Sequence, residues 1–275
     1  MTFDSRLGCS TISFRRLDLP AALTTIAELG FTETELGSLP GVCDHVPLDL
    51  DPTSIDIVAD QVARSGLAVR SINADVGDLN LPLDEFGRRG RDEHLRRLAQ
   101  LARRVGAEAV VLPCGAQSHD VIRTLDDDLD LVAEQLIRAA SITAEYGVRV
   151  WVESLHYFRL CWNTALAEAL TGRLANTRVG VVMDFSHIVA SGGDPVVFVD
   201  AFADRIAHVH IRDAVDGDIN LSVGNGDADF AAGLAALRAA HYPGHVSLEL
   251  ETADVADTDR PAAAAAAGRY IESLL

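Results

Sequence analysis

Residues 128–154 read DLDLVAEQLIRAASITAEYGVRVWVES. The first part is built of helix formers, with Leu131, Leu136 and Ile142 assigned to its apolar stripe. Gly147 ends it, because a glycine relieves the left-handed turn that follows a helix. VRVWVES is then apolar at nearly every position, as a strand covered on both faces of a parallel sheet must be. This unit decides the fold because the chain repeats it. AELG-FTETEL, ARSG-LAVRSIN and ARRVG-AEAVVLP put Gly30, Gly66 and Gly106 at the same joint. VGVVMDF, IAHVHI and HVSLELE supply three further strand-like runs, and LGCSTISF supplies the first. Strands are therefore expected near 7–13, 31–36, 68–73, 109–113, 148–154, 179–184, 206–212 and 245–250. The intervening segments suit helices. Leu95, Leu98, Leu101, Ala102 and Val105 share a stripe, and Asp18 with Pro20 and Asp51 with Pro52 are first-turn signals.

Strands and helices that alternate without a break in composition predict an α/β chain, a (β/α)8 TIM barrel spanning 1–275 as one domain. The competing open, doubly wound sheet needs a glycine-rich phosphate loop after its first strand. GCSTISF has none, and the Gly-x-Gly of VGNGDADF comes only after the seventh run.

The 275 residues are 48% hydrophobic but only 5% aromatic, so the core is expected to be aliphatic. The formal charge of -18 argues against a nucleic-acid partner, whose phosphates would repel it. The N-terminus lacks a basic stretch followed by an apolar run, and no apolar stretch is long enough for a membrane span. Cys9, Cys43, Cys114 and Cys161 have no CxxC spacing, which suits reduced thiols and a cytoplasmic protein. Cys9 and Cys114 are expected to be small core residues. The sequence leaves the oligomeric state open, a homo-oligomer included.

Chemistry concentrates at four strand ends: VES (152–154), MDFSH (183–187), HVH (208–210) and LELE (248–251). In a parallel barrel every strand's carboxyl end faces one rim, so Glu153, Asp184, His210 and Glu249 are expected to converge there. Each residue alone has an ordinary explanation as a loop acid or a core histidine. Together they do not, because carboxylates in apolar strands cost several kcal/mol unless paired or metal-bound. One divalent ion offsets all three. An imidazole with three carboxylates suits Mn²⁺ best, or Mg²⁺, while Co²⁺ or Zn²⁺ can substitute.

On these strings the chain resembles the sugar isomerase and epimerase branch of the xylose isomerase-like barrels, which includes ketose 3-epimerases, hydroxypyruvate isomerase and inosose dehydratase. The most specific matches are DFSH (184–187), HVH (208–210) and GHVSLE (244–249). The resemblance implies that Glu153, Asp184, His210 and Glu249 bind the metal and that His187 contacts substrate. It also implies that Glu153 and Glu249 are at once ligands and the acid–base pair. Glu249 is preferred to Glu251, which strand alternation puts on the same face, on the family's Gly-to-Glu spacing. The implied reaction is proton abstraction beside a carbonyl of a small carbohydrate, through an enediolate stabilised by the metal. Delivery of the proton to the opposite face gives epimerisation, and to the neighbouring carbon isomerisation. Loss of a β-hydroxyl makes the enzyme a lyase acting on a keto-sugar or keto-cyclitol.

The match breaks at two positions. Where ketose 3-epimerases of this family carry a second Glu, this chain has Arg159, and where they carry an Arg it has Asp216. Arg159 is either a grip on a carboxylate or phosphate or a solvated loop cation. His156 and Arg212 are further candidates for substrate contact at the rim. His94, His241 and His245 read as surface or interhelix residues. Apurinic endonucleases share the barrel but need early-strand histidines, and neither SINADVGDLN nor VVLPCG ends on one. A non-catalytic sugar-binding barrel would be expected to lose at least one ligand carboxylate, and all are present.

Overall fold

The computed structural model describes residues 2–275. Eight parallel strands close into a barrel in the order β1-β2-β3-β4-β5-β6-β7-β10. They are β1 (Leu7–Ser10), β2 (Glu33–Ser38), β3 (Ala68–Ala74), β4 (Ala109–Pro113), β5 (Arg149–Glu153), β6 (Gly180–Asp184), β7 (Ile206–Ile211) and β10 (Val246–Leu248). The (β/α)8 expectation is met. The glycine joints behave as expected: Gly30, Gly66 and Gly106 cap their helices in the left-handed region, and Gly147 has φ 74°. The Asp18 and Asp51 side chains cap α1 (Leu19–Leu29) and α2 (Pro52–Ser65) by accepting the N–H of Ala21 and Ser54.

Two strand ends differ from the sequence reading. β1 stops at Ser10 and a 3-10 turn, Thr11–Phe14, takes over. Side chains replace the ladder there: Thr11 Oγ1 accepts the Gly37 N–H, and Ser13 Oγ accepts that of Leu250. The second bond also draws the chain out of β10 after Leu248. Glu251 nevertheless lines the same cavity as Glu249, and both approach Arg212. On α4 (Leu125–Ala144) the buried stripe passes through Leu129, Val132, Leu136 and Ala139 rather than Leu131. The observed steps of three and four residues keep one helix face, and the five-residue step from Leu131 to Leu136 does not.

A hairpin of β8 (Asp213–Val215) and β9 (Asp218–Leu221) was not anticipated. It turns through Asp216 and Gly217, which adopts φ 79°, and it leaves Asp216 exposed.

The large aliphatic core lies between the strands and the helices, and Cys9 and Cys114 belong to it. A separate, small apolar plug of Ala109, Val111, Trp151 and Val182 fills part of the barrel lumen. Along β5, β6 and β7 the lumen-facing positions alternate with the shell-facing ones. Trp151 and Glu153, Val182 and Asp184, and His208 and His210 therefore stack as lower and upper members. His245 is not a free surface residue: its Nδ1 lies 2.9 Å from Glu33 Oε1. Among the described residues no helix is long and apolar enough to cross a membrane.

Candidate active site

Glu153 ends β5 and Asp184 ends β6. Cross-strand register sets His210 beside Asp184 on one side and Ser247 on the other. Glu249 stands just past β10, and its N–H donates to Ile211 O at 3.0 Å, which extends the ladder by one bond. One ligand atom from each of Glu153, Asp184, His210 and Glu249 lies within 4.8 Å of all the others. His210 Nδ1 is 3.4 Å from Glu153 Oε1, 3.3 Å from Glu249 Oε2 and 4.0 Å from Asp184 Oδ2. All four side chains are buried.

The second oxygen of two acids is tied down. Asp184 Oδ1 caps α6 (Phe185–Ala190), accepting the N–H of Ser186 at 2.7 Å, that of His187 at 3.2 Å and the Ser186 hydroxyl at 2.6 Å. Asn73 Nδ2 donates to Glu249 Oε1 at 2.9 Å. Asp184 Oδ2 and Glu249 Oε2 are thereby left for the cluster. Among the described residues, Glu153 Oε1, Asp184 Oδ2 and His210 Nδ1 are buried without a hydrogen-bond partner. Buried polar atoms are rarely left so. Three of them turned toward one another, all able to give a lone pair, fit a divalent cation with oxygen and imidazole donors.

The electrostatics agree. Burial, opposed by His210 and reinforced by repulsion from Glu249 and Asp184, pushes the Glu153 carboxyl up to about 7. Glu249 is also pushed up, chiefly by burial. The acids hold more negative charge than the protein alone compensates.

The predicted substrate contacts gather around this cluster. His187, on α6, is buried, and the Tyr157 N–H donates to its Nδ1 at 3.2 Å. Its Nε2 lies 3.4 Å from Arg212 Nη2 and 3.9 Å from both Glu153 and Asp184. His156 packs on it with ring centres 3.8 Å apart. Burial above all pushes both imidazoles well below the usual histidine value, so they are neutral near pH 7. Arg212 is buried behind the acids, with Nη2 3.6 Å from Asp184 and 3.9 Å from Glu249 and Nη1 3.3 Å from Glu251. Glu251 also pairs with Arg15.

Arg159 is not a solvated loop cation. It is 7% exposed, donates Nη1 to Gly115 O at 2.9 Å and pairs through Nη2 with Asp75 Oδ2 at 2.6 Å. Arg159 and Asp75 border a cavity of about 230 Å³ above the acid cluster, whose wall includes Pro40, Val42, Phe158 and Asn220. Asp216 is not among its lining residues.

The sequence reading missed Glu35, Asn73 and Asp75, and gave no role to His208. Glu35 and His208 are fully buried beneath the cluster. Alternation along FTETEL carried a signal, since Glu33 and Glu35 share a face and neither belongs in an apolar strand.

A family model described as xylose isomerase-like TIM barrel matches residues 23–274. The inosose dehydratase of Geobacillus kaustophilus (strain HTA426) is 25% identical over 231 residues, 76% of this chain and 69% of that protein. The crystal structure of D-allulose 3-epimerase from Methylomonas sp. superposes with TM-score 0.79 at 19% identity, covering 100% of both chains. That of the IOLI protein with a bound zinc atom superposes with TM-score 0.77 at 18% identity, covering 98% of this chain and 99% of that one. Epimerases and dehydratases thus surround a chain whose own acids and imidazoles converge at one rim, and this enzyme belongs to the xylose isomerase-like TIM barrel family.

Proposed function

We propose that this protein is a divalent-metal-dependent sugar isomerase or epimerase acting on a neutral keto-polyol, by proton transfer at the carbon beside the carbonyl. The carrying observation is the position of His210 Nδ1 between Glu153 and Glu249, with three orphaned donor atoms sharing one space. Glu153, Asp184, His210 and Glu249 would hold the ion. Mn²⁺ suits this donor set best, and the zinc atom of the IOLI protein supports a divalent ion in general. When bound, such an ion polarises a substrate carbonyl and lowers the pKa of the adjoining C–H.

The remaining work falls to side chains. Glu153 and Glu249 come from strands separated by β6 and β7, so they flank the substrate from two sides. One removes the proton and the other returns it. His187 presents its ring to the substrate, and His156 closes the same wall.

The charge balance supports a neutral substrate. Arg159 is matched by Asp75 and Arg15 by Glu251, while Arg212 faces the acid cluster. With a divalent ion, the three ligand carboxylates are offset by the ion and Arg212 together. An anionic substrate would find each arginine on the cavity wall already facing an acid, which favours a hydroxyl over a carboxylate or phosphate as the partner of Arg159. Arg159 and Asp75 instead offer a fixed donor and acceptor to hydroxyl groups.

Dehydration of a keto-cyclitol is the second reading, supported by likeness to an inosose dehydratase over 76% of the chain. It uses the same proton abstraction and differs in the fate of the β-hydroxyl. The test is a panel of neutral keto-sugars and keto-cyclitols, incubated in D₂O with metal-stripped and Mn²⁺-reconstituted protein and followed by NMR. Metal-dependent deuterium at the carbon beside the carbonyl is expected, and the product identifies epimer, isomer or dehydrated ketone. Turnover that survives complete metal removal would contradict the proposal.

A further inference from the structure

Beneath the acid cluster lies a second buried polar group that neither the fold nor the proposed chemistry accounts for. Glu35, on β2, is 0% exposed. Among the described residues no arginine pairs with it. Its neighbours are the Ser71 hydroxyl, which donates to Oε2 at 2.6 Å, and two imidazoles. His210 Nε2 lies 3.2 Å from Oε1 and 3.3 Å from Oε2, and His208 Nε2 lies 3.6 Å from Oε2. A buried carboxylate without a guanidinium partner depends on such neighbours to offset its desolvation. It needs a reason to be there.

The two nitrogens of His210 supply one. Nδ1 faces Glu153, Asp184 and Glu249, and Nε2 faces Glu35. An imidazole that gives a lone pair to a cation through Nδ1 must carry its proton on Nε2. That proton requires an acceptor, and Glu35 is the group within reach. Ser71 fixes the acceptor in turn. His208 does not replace it, because it stands edge-on to His210 with ring centres 5.0 Å apart and is stacked on Trp151.

We infer that Glu35 is a positioning residue for the metal centre: it holds His210 with the proton on Nε2 and the Nδ1 lone pair aimed into the carboxylate cluster, and so sets the affinity for the divalent ion. The inference rests on the proposed cation site. A carboxylate behind a ligating histidine both orients the ring and strengthens it as a donor, and losing it typically weakens metal affinity about 10- to 100-fold. Glu35 touches neither ion nor substrate.

The test measures Mn²⁺ binding to metal-stripped wild type and Glu35→Gln, by calorimetry and by the EPR signal of free Mn²⁺, with the melting temperature of each metal-free protein alongside. Glu35→Gln keeps the shape and removes the charge. It should weaken Mn²⁺ binding about 10- to 100-fold. A purely structural Glu35 would lower the melting temperature and leave affinity unchanged, which overturns the inference. Should Glu35→Gln fail to fold, Ser71→Ala decides. It frees the carboxylate without removing it and should still weaken Mn²⁺ binding severalfold, and unchanged affinity would again overturn the inference. Failure of wild type to bind Mn²⁺ at all defeats the cation site itself. Normal wild-type binding with unchanged variants defeats only the role of Glu35.

Discussion

Arg159 reaches from the loop after β5 to Asp75, just past β3, and the two close a 2.6 Å ion pair across the mouth of the barrel. Arg159 stands where the resemblance to ketose 3-epimerases led a second glutamate to be expected. Arg159→Ala should lower kcat/KM on the true substrate on the order of 10-fold, mainly through KM, because a charge-assisted contact is lost remote from the reacting carbon. Asp75→Asn releases the guanidinium from its partner. It should therefore improve binding of a phosphorylated or carboxylated analogue relative to the neutral substrate. Steady-state kinetics on both substrate types checks this, and unchanged kinetics in both variants would leave the pair a purely structural clasp.

Glu153→Gln and Glu249→Gln should each lose roughly 100-fold or more in kcat, the scale of a missing general acid or base. Both residues are also proposed ligands, so each variant is assayed at saturating Mn²⁺ with its occupancy measured. Near-normal turnover in a metal-loaded variant would remove that residue from the proton transfer.

Metal binding should be proton-linked. In the metal-free protein the Glu153 carboxyl is pushed from 4.5 up to about 7, with burial as the main cause. Below pH 7 it keeps a proton that a cation must displace. His210, against its burial, is held protonated well above the usual imidazole value by Glu249, Glu35 and Glu153, and keeps another. Apparent affinity for Mn²⁺ should therefore rise with pH through and beyond 7. Calorimetry at pH 6 in buffers of different ionisation enthalpy should register proton release. The stability contribution has the matching sign. Between about 4.5 and about 7 the folded metal-free chain holds a proton that the unfolded chain has lost. Stability from this group therefore falls as pH rises through that window and is flat above it.

Abasic-site DNA should not be incised. The formal charge is -18, and β3 and β4 offer Asn73 and Pro113 toward the rim where a three-metal repair site needs histidines. Incubation with an abasic duplex and Mn²⁺ or Zn²⁺ should leave it intact, and incision at catalytic enzyme levels would overturn the assignment.

The barrel was legible because its punctuation is local. Gly30, Gly66, Gly106 and Gly147 mark helix ends whatever the tertiary context, and the runs after them are apolar on both faces. Glu153, Asp184, His210 and Glu249 were legible for the opposite reason, as charges standing at the ends of those runs. Glu35 was not, because only the closed barrel brings β2 across the lumen to His210. Asp75 was not legible as the partner of Arg159, since the two lie 84 positions apart. The β8–β9 hairpin left a weak mark in the Asp216-Gly217 pair, but β-strands that short carry no periodicity of their own.

The central claim is that Glu153, Asp184, His210 and Glu249 together hold one divalent ion. Anomalous diffraction from crystals of the Mn²⁺-reconstituted protein, recorded on both sides of the manganese absorption edge, tests it most directly. The account predicts one strong peak inside the barrel rim, bonded to a carboxylate oxygen of each acid and to His210 Nδ1. A rim that stays empty under excess Mn²⁺, or a fully loaded protein with its peak elsewhere, would contradict it.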